Sequence, residues 1–231
     1  MRVVAHGPYC YNRQLLGLFS RPTGYWQGME SIREFFGVQL RKGFVPMLSV
    51  LQRLKVTPNQ VTVAGTVLNI AAAALVVTDH LIYAGIVFLA AGCFDMLDGA
   101  LARRTGQSTP FGAFLDSTLD RVSEGVVMAG IAYILASQGR AVDAGLVVLA
   151  LMGAMLVSYT RARAESLGLE CKVGIMSRPE RVILIALGLF FNVLSYVVYI
   201  MLALTVFTVI QRVVHTYRQL GKEKQGGIVE R

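Results

Sequence analysis

The sequence predicts an all-α integral membrane protein with six transmembrane helices and an N-terminal interfacial amphipathic helix. Of its 231 residues, 55% are hydrophobic and only 16% are charged, and the mean hydropathy is +0.57. Soluble domains carry about 25% charged residues. This composition excludes a disordered chain and a soluble nucleic-acid-binding domain, so no nucleic acid partner is expected. Three cysteines are too few for a disulfide scaffold.

The N-terminal part of the chain is predicted to lie outside the membrane spans. Residues 1–28 contain no apolar run typical of a signal peptide, and we expect a dispensable extension there. In the segment 29–56, apolar side chains recur at helical spacing, with basic side chains between them. This pattern predicts an amphipathic helix in the cytoplasmic interface, bent near Pro46. A helix packed on protein rather than on lipid is an equally good interpretation.

Apolar segments mark the spans of a domain predicted over 57–218, which is followed by a cytoplasmic tail at 219–231. The last apolar stretch, 182–210, has 29 residues, and one helix of that length would be about 43 Å long, too long for a single span. A turn near Asn192 would divide it into two short spans. The first four spans are predicted, in chain order, at 61–78, 81–94, about 122–136 and about 144–159.

The distribution of positive charge favours six spans over five. The chain has 22 Lys and Arg against 14 Asp and Glu, a formal net charge of +8. With six spans only Arg140 falls on the far side of the membrane, whereas five spans would place the basic residues from Arg212 to Lys224 there as well. By the positive-inside rule, both termini are therefore predicted to be cytoplasmic.

Four of the six aspartates lie at the predicted cytoplasmic ends of the second and third spans: Asp95, Asp98, Asp116 and Asp120. Ionisable side chains at membrane depth are costly and mark functional sites. The first two are three residues apart and the last two are four apart, so each pair shares one helix face. The short connection between the spans is expected to bring both pairs to one site.

Four convergent carboxylates repel one another unless a cation lies between them. Mg²⁺, Mn²⁺ and Ca²⁺ prefer oxygen ligands, and the absence of His and Cys from the cluster argues against zinc. Two Mg²⁺ ions, with Mn²⁺ as a substitute, would suit four carboxylates. Structural ion pairs between these aspartates and nearby arginines are the alternative interpretation.

The cluster resembles the complete signature of the CDP-alcohol phosphotransferases: Asp95-x2-Asp98-Gly99-x2-Ala102-Arg103-x8-Gly112-x3-Asp116-x3-Asp120. The resemblance implies six transmembrane helices around a polar cytoplasmic cavity, and a homodimer in the lipid bilayer. It also implies transfer of a phosphatidyl-type group from a CDP-linked lipid, here CDP-diacylglycerol, to an alcohol, with release of CMP.

The same resemblance implies roles for individual residues. One metal ion would be bound by Asp95, Asp98 and Asp116. The second would share Asp95 and Asp116 and add Asp120, which would also be the general base that deprotonates the attacking hydroxyl. Two stretches would contact the CDP moiety, the first comprising Asn59, Gln60, Val61 and Thr62, the second Gly99, Arg103 and Thr109.

A basic cluster bears on the identity of the acceptor alcohol. It lies between the fourth and fifth spans and at the end of the sixth, and comprises Arg161, Arg163, Arg178, Arg181 and Arg212. Guanidinium groups match phosphate oxygens well, so we expect a phosphorylated polyol rather than choline, ethanolamine or serine. The positive-inside signal alone is the other interpretation of any one of these arginines.

The segments around these arginines resemble the phosphatidylinositol-phosphate synthase branch of the family. In that branch, basic residues matching Arg161, Arg181 and Arg212 hold the phosphate of inositol phosphate. The resemblance therefore implies inositol phosphate as the acceptor and phosphatidylinositol phosphate as the product. Glycerol 3-phosphate, which would give phosphatidylglycerophosphate, is the alternative acceptor.

Two other classes of membrane protein also use acidic residues on helices. Intramembrane prenyltransferases need more than six helices and lack the Gly-x2-Ala-Arg insertion. A divalent-cation transporter would place its carboxylates near the bilayer midplane and connect them to the far side. Here the carboxylates are predicted at the cytoplasmic edge, which favours the enzyme over the transporter.

Overall fold

The computed structural model describes residues 45–226, with side chains described from 46 to 221. The predicted extension at 1–28 and most of the predicted interfacial helix lie outside these residues, as does the end of the tail. The chain divides into two units, 1–47 and 48–231, and the helix packing and the candidate site lie in the second unit. Residues 45–226 form seven α-helices and no strand: α1 (Val45–Arg53), α2 (Pro58–Val77), α3 (Leu81–Thr105), α4 (Pro110–Ser137), α5 (Ala141–Ser166), α6 (Arg178–Phe191) and α7 (Leu194–Gly226).

Four of these helices, α2, α3, α5 and α7, are long and apolar enough to cross a membrane. The all-α, membrane-spanning character predicted from the sequence is therefore confirmed for the described residues. α4 has 28 residues, but its first half carries the polar residues around Asp116 and Asp120. α6 has 14 residues, a length of about 21 Å. The count of six spans stays a prediction.

The turn predicted near Asn192 is present. α6 ends at Phe191, Asn192 adopts a left-handed conformation with φ of 53°, and α7 begins at Leu194. Asn is one of the few residues other than Gly that enters this region readily, because its short polar side chain can form local hydrogen bonds. The long apolar stretch 182–210 is therefore two helices that pack against each other.

Capping residues fix the starts of the two helices that flank the aspartate cluster. Thr57 caps α2: its Oγ1 accepts from the Gln60 amide at 3.4 Å, and its own amide donates to Gln60 Oε1 at 2.9 Å. Thr109 caps α4, since its Oγ1 accepts from the Gly112 amide at 3.0 Å. Both helices also have proline in the first turn. The reciprocal cap at Thr57 and the single cap at Thr109 both satisfy amides that would otherwise lack partners.

The apolar core lies on one side of the aspartate cluster along the helices. It includes Phe88 on α3 and Val127 on α4, each about two turns from the nearest aspartate of its helix. α2 packs on α3 and α4, α5 on α4 and α7, and α6 on α3 and α7. Gly130 allows α4 to approach α2, because a Cβ there would lie 3.1 Å from the Ala73 carbonyl oxygen. This packed half of the bundle supports the polar half that holds the site.

The α6–α7 crossing offers a direct test of this packing. A Cβ on Gly188 would lie 2.7 Å from Val197 Cγ2 and 3.2 Å from Val197 Cβ. We expect Gly188→Ala to lower the free energy of unfolding by roughly 1–3 kcal/mol, since overpacking forces side chains off their rotamers. Gly145→Ala, where nothing lies within 4 Å, is the control and should leave the melting temperature in detergent unchanged or raised. Adding Val197→Ala to Gly188→Ala should recover part of the loss, and no recovery would contradict this packing.

Candidate active site

The four aspartates converge where α3 and α4 meet the start of α6. The Arg178 guanidinium joins two of them, with Nη2 at 2.6 Å from Asp95 Oδ2 and Nη1 at 2.8 Å from Asp120 Oδ1. Asp98 and Asp116 both line one cavity. The other three carboxylates are all near enough to Asp120 to act on it electrostatically. The two helix faces that the residue spacing predicted therefore meet in the folded protein.

Asp98 is the most enclosed of the carboxylates, and α2 holds it in place. Thr62 Oγ1 donates to Asp98 Oδ2 at 2.7 Å, and the Gly99 amide donates to Asp98 Oδ1 at 2.5 Å. Asp98 is 4% exposed. Thr62 was predicted as a nucleotide contact, and the structure also makes it the hydrogen-bond partner of a carboxylate.

A cavity of about 230 Å³ opens beside the aspartates, between the starts of α2 and α4 and the end of α3. It brings together five of the seven residues predicted to contact CDP: Asn59, Thr62, Gly99, Arg103 and Thr109. The other two do not line it. Gln60 caps α2, and Val61 is buried in the core.

Two further polar residues, Gln107 and Ser108, line this cavity and escaped the sequence reasoning. They lie in the eight-residue spacer between Arg103 and Gly112, where a motif carries no information. Their one sequence signal is adjacency to Thr109, the cap of α4. Gly112 has a packing role in the same wall, because a Cβ there would lie 3.2 Å from Asn59 Oδ1.

The donor chemistry of the cluster fits a hard divalent cation. All four side chains supply carboxylate oxygens, and those of Asp95 and Asp120 are only 15% and 19% exposed. Among the described residues, no three His, Cys, Asp or Glu side chains already form a closed set of metal ligands. The guanidinium of Arg178 lies between Asp95 and Asp120 instead. The sequence left ion pairs between the aspartates and nearby arginines as the alternative to a metal site. Such ion pairs are present for Asp95 and Asp120.

Arg181 is held by a partner that the sequence reasoning missed. Its side chain is 1% exposed and forms two bonds to Glu124, Nε to Oε1 at 2.5 Å and Nη2 to Oε2 at 2.8 Å. Glu124 lies four residues after Asp120, on the same face of α4. The repeat of acidic residues at 116, 120 and 124 was the available signal. A buried, doubly bonded pair fixes the Arg181 guanidinium in one orientation.

Arg212 is also buried, at 4% exposed. Its Nε donates to the Val173 carbonyl oxygen at 2.9 Å, and its Nη1 donates to the Val157 carbonyl oxygen. Arg161 and Arg181 are near enough to act on it electrostatically. Two of the three arginines matched to the inositol-phosphate branch, Arg181 and Arg212, are therefore buried, and Arg212 also ties α7 to α5 and to the 167–177 loop.

The remaining predicted arginines differ in their surroundings. Arg161 is half exposed and pairs with Glu165 at 2.8 Å, whereas Arg163 is exposed and lies 3.4 Å from Ser166 Oγ. In the neighbouring 167–177 loop, burial raises the pKa of the Cys171 thiol. This thiol therefore stays protonated and acts as packing rather than as a nucleophile.

The fold and the carboxylate cluster define an enzyme class. Residues 55–211 match the family model described as CDP-alcohol phosphatidyltransferase, so the chain belongs to this family. Family membership confirms the resemblance carried by the aspartate signature. The chain is an integral membrane enzyme of phospholipid biosynthesis, and the prenyltransferase and transporter alternatives no longer apply.

Individual relatives narrow the comparison. The chain is 38% identical over 197 residues to the archaetidylinositol phosphate synthase of Methanothermobacter thermautotrophicus, covering 83% of this chain and 97% of that one. It is 40% identical over 149 residues to the phosphatidylinositol phosphate synthase of Mycobacteroides abscessus, covering 64% and 68%. For the enzyme of that name from Corynebacterium glutamicum, the identity is 36% over 178 residues, covering 73% and 81%.

Solved structures of Mycobacterium tuberculosis phosphatidylinositol phosphate synthase share the fold. The structure with CDP-DAG bound aligns with a TM-score of 0.70 at 33% identity, covering 74% of this chain and 92% of that one. The complex with manganese and citrate aligns with a TM-score of 0.68 at 32% identity, covering 74% and 88%. These proteins are similar to this chain in sequence and in fold alike.

Proposed function

We propose that this enzyme transfers a phosphatidyl group from CDP-diacylglycerol to a hydroxyl of inositol phosphate, giving phosphatidylinositol phosphate and CMP. One observation carries the proposal: the buried Arg181 is bonded to Glu124, one helical turn after Asp120 on α4, so a guanidinium group lies close to the aspartate cluster. A neutral acceptor would gain nothing from buried guanidinium groups, whereas a phosphate monoester matches them. The names of the curated relatives support the same acceptor.

The cavity beside Asp98 and Asp116 is the proposed site for the CDP moiety. Arg103, the first turn of α2 and the cap of α4 line it, so it offers a cation and polar side chains to a pyrophosphate and a nucleoside. Asn59, Thr62, Gly99 and Thr109 contact the donor in this proposal. Gln60 and Val61 support the wall. The lipid tails would then extend between the helices into the surrounding bilayer.

Asp95, Asp98, Asp116 and Asp120 would hold the divalent cations, which we propose to be two Mg²⁺ ions, with Mn²⁺ as a substitute. A divalent ion held by these carboxylates would neutralise charge on the pyrophosphate and would stabilise the CMP leaving group. The manganese in a related structure supports a metal of this kind. The all-oxygen donor set of this chain supports it independently.

Asp120 is the proposed general base. Its carboxylate is partly exposed, and in this proposal it accepts the proton of the acceptor hydroxyl. The hydroxyl oxygen then forms a bond to the lipid-bearing phosphorus. The bond from that phosphorus to the CMP oxygen breaks, and CMP leaves with the electron pair. No nucleophilic Ser, Cys or His is required for this direct displacement.

The acceptor phosphate is proposed to lie among Arg161, Arg181 and Arg212. Glu124 orients Arg181 and two backbone carbonyls orient Arg212, so the positions of both guanidinium groups are set before the acceptor binds. Arg163, exposed at the end of α5, would contribute long-range attraction at the rim. Arg178 instead bridges Asp95 and Asp120.

The topology follows from the charge distribution. We propose six membrane spans, α2 to α7, with both termini and the active site on the cytoplasmic side, because the basic residues concentrate there. The domain is proposed to occupy 57–218, preceded by the extension 1–28 and the interfacial helix 29–56 and followed by the tail 219–231. A homodimer is proposed from the family resemblance.

A parallel assay of acceptors tests the function directly. Purified protein with Mg²⁺ or Mn²⁺ and CDP-diacylglycerol should release CMP with inositol phosphate and not with free inositol or serine. The reason is that the arginine cluster contributes binding free energy only to a phosphorylated acceptor. The measurement is CMP release at matched acceptor concentrations. Turnover with free inositol or serine would contradict the proposal, and preference for glycerol 3-phosphate would assign the alternative activity.

The lipid part of the donor needs its own comparison. One group of relatives is named for a phosphatidyl product and another for an archaetidyl product. The assay is therefore run with CDP-diacylglycerol and with its archaetidyl counterpart at fixed inositol phosphate. Faster turnover with the archaetidyl donor would change the product while leaving the proposed reaction and acceptor intact.

A further inference from the structure

Arg178 places a cation of the protein itself between two of the proposed metal ligands. Its Nη2 lies 2.6 Å from Asp95 Oδ2 on α3, and its Nη1 lies 2.8 Å from Asp120 Oδ1 on α4. One side chain of α6 thus bridges carboxylates of two other helices. A divalent ion bound between Asp95 and Asp120 would repel the guanidinium at this distance, so the two cations compete for the same pair of carboxylates.

The start of α6 is built to deliver Arg178 to this place. Ser177 precedes it and caps the helix with Glu180, the Ser177 amide donating to Glu180 Oε2 at 3.0 Å. One turn later, Arg181 is bonded twice to Glu124. Arg178 and Arg181 are three residues apart on α6, and their partners Asp120 and Glu124 are four apart on α4. Two consecutive ion pairs therefore connect α6 to α4.

The two ion pairs differ in how easily another ion can replace one of their partners. Arg181 and Glu124 are buried, so separating them would leave an uncompensated charge inside the protein. The Arg178 side chain is 27% exposed, so water reaches this ion pair. Ion pairs with access to water are weak, because water and ions replace the partner at little cost. Arg181 therefore holds α6 in place, whereas another cation can displace Arg178 from its carboxylates.

We propose that Arg178 is an internal counter-cation of the carboxylate cluster, which a divalent ion displaces from Asp95 and Asp120, and that the displaced guanidinium then serves a phosphate group in the active site. The inference rests on the proposed metal role of these aspartates. Displacement couples two binding events: metal loading releases Arg178, and a phosphate that holds the released Arg178 favours metal loading by the same factor.

Metal binding without substrate tests the displacement. Full-length protein, stripped with chelator and kept in detergent, is titrated with Mn²⁺, and free Mn²⁺ is followed by electron paramagnetic resonance. Arg178→Gln should bind Mn²⁺ about tenfold more tightly than the wild type, the combined value of two partly exposed ion pairs. Arg104→Gln removes the same charge from an exposed residue of α3 that contacts Ser49, and should change the affinity less than twofold.

Arg178→Lys separates displacement from simple charge. Lysine keeps the positive charge but has a single nitrogen, which cannot bridge two carboxylates as the guanidinium fork does. We expect Arg178→Lys to bind Mn²⁺ more tightly than the wild type and less tightly than Arg178→Gln. If Arg178→Lys matches the wild type while Arg178→Gln binds more tightly, the effect is charge alone and the proposal is wrong. Equal or weaker binding by Arg178→Gln also overturns it.

Added ligands identify the phosphate that Arg178 serves. Inositol phosphate should tighten Mn²⁺ binding several-fold in the wild type and less in Arg178→Gln if the acceptor phosphate takes the guanidinium. A tightening by CMP that Arg178→Gln reduces would assign it to the donor phosphates instead, and tightening that the substitution leaves unaffected would overturn the phosphate role. Loss of Mn²⁺ binding in every variant would defeat the proposed metal site itself, whereas an inactive protein with these affinities would defeat only the proposed acceptor.

Discussion

Asp120→Asn is expected to reduce CMP release by at least roughly 10³-fold, because an amide cannot accept the proton of the acceptor hydroxyl. The substitution preserves the shape of the side chain, and it removes one carboxylate from the cluster while leaving Asp95, Asp98 and Asp116. The donor cavity does not include Asp120. Binding of CDP-diacylglycerol, measured by displacement of a labelled donor, should therefore change far less than turnover.

Asp143 supplies the matched control for this experiment. It is a buried aspartate of α5 that accepts from Ser195 Oγ at 2.6 Å, from Arg140 Nε at 2.8 Å and from the Tyr199 hydroxyl. None of these residues lines the donor cavity or contacts the aspartate cluster. Asp143→Asn should lower the melting temperature, since it weakens a charge-assisted network, and leave turnover per folded molecule within a few-fold of the wild type. An active Asp120→Asn enzyme would show that another group is the base.

The features predictable from the sequence are those fixed by short-range geometry. Spacings of three and four along a helix place Asp95 with Asp98 and Asp116 with Asp120, whatever the rest of the fold does. Asn192 between two apolar runs predicts a left-handed turn for the same local reason. The convergence of the two aspartate pairs followed from the length of a single connection.

The features that escaped prediction depend on residues distant in sequence. Arg181 and Glu124 are 57 positions apart, and the bonds from Arg212 to Val157 and Val173 span 55 and 39 positions. Charge counting identified these arginines as a group but could not say which were buried. The burial of an arginine depends on which carboxylate or carbonyl the fold brings to it, and spacing does not contain that information.

The residues of the candidate site also divide into features that local spacing predicts and features that depend on the fold. Asn59 to Thr62 were predicted together because they form one motif, yet the helix separates their roles within a single turn. Asn59 and Thr62 line the donor cavity, Gln60 turns back to cap α2, and Val61 enters the core. A motif specifies a segment, whereas the direction of each side chain follows from the helical phase and from the packing around it.

The buried pair of Glu124 and Arg181 gives the second large effect. Glu124→Ala removes the only carboxylate to which Arg181 is bonded among the described residues and leaves a guanidinium charge in the interior. We expect a loss of about 3–5 kcal/mol in the free energy of unfolding, the usual cost of breaking a buried ion pair from one side. Thermal unfolding in detergent measures the loss, with Glu165→Ala at the exposed pair of Arg161 as the control, expected to cost less than about 1 kcal/mol.

Replacing both partners distinguishes stability from function. In Glu124→Leu with Arg181→Met no charge remains in the interior, and apolar side chains of similar volume fill the space. Such replacements of buried pairs are often neutral or stabilising, so the double variant should regain most of the stability lost in Glu124→Ala. It should nevertheless stay inactive with inositol phosphate, because the acceptor phosphate has lost a guanidinium that no apolar side chain replaces. A double variant that is both stable and active would show that this pair serves the packing of α4 and α6 and takes no part in recognising the acceptor.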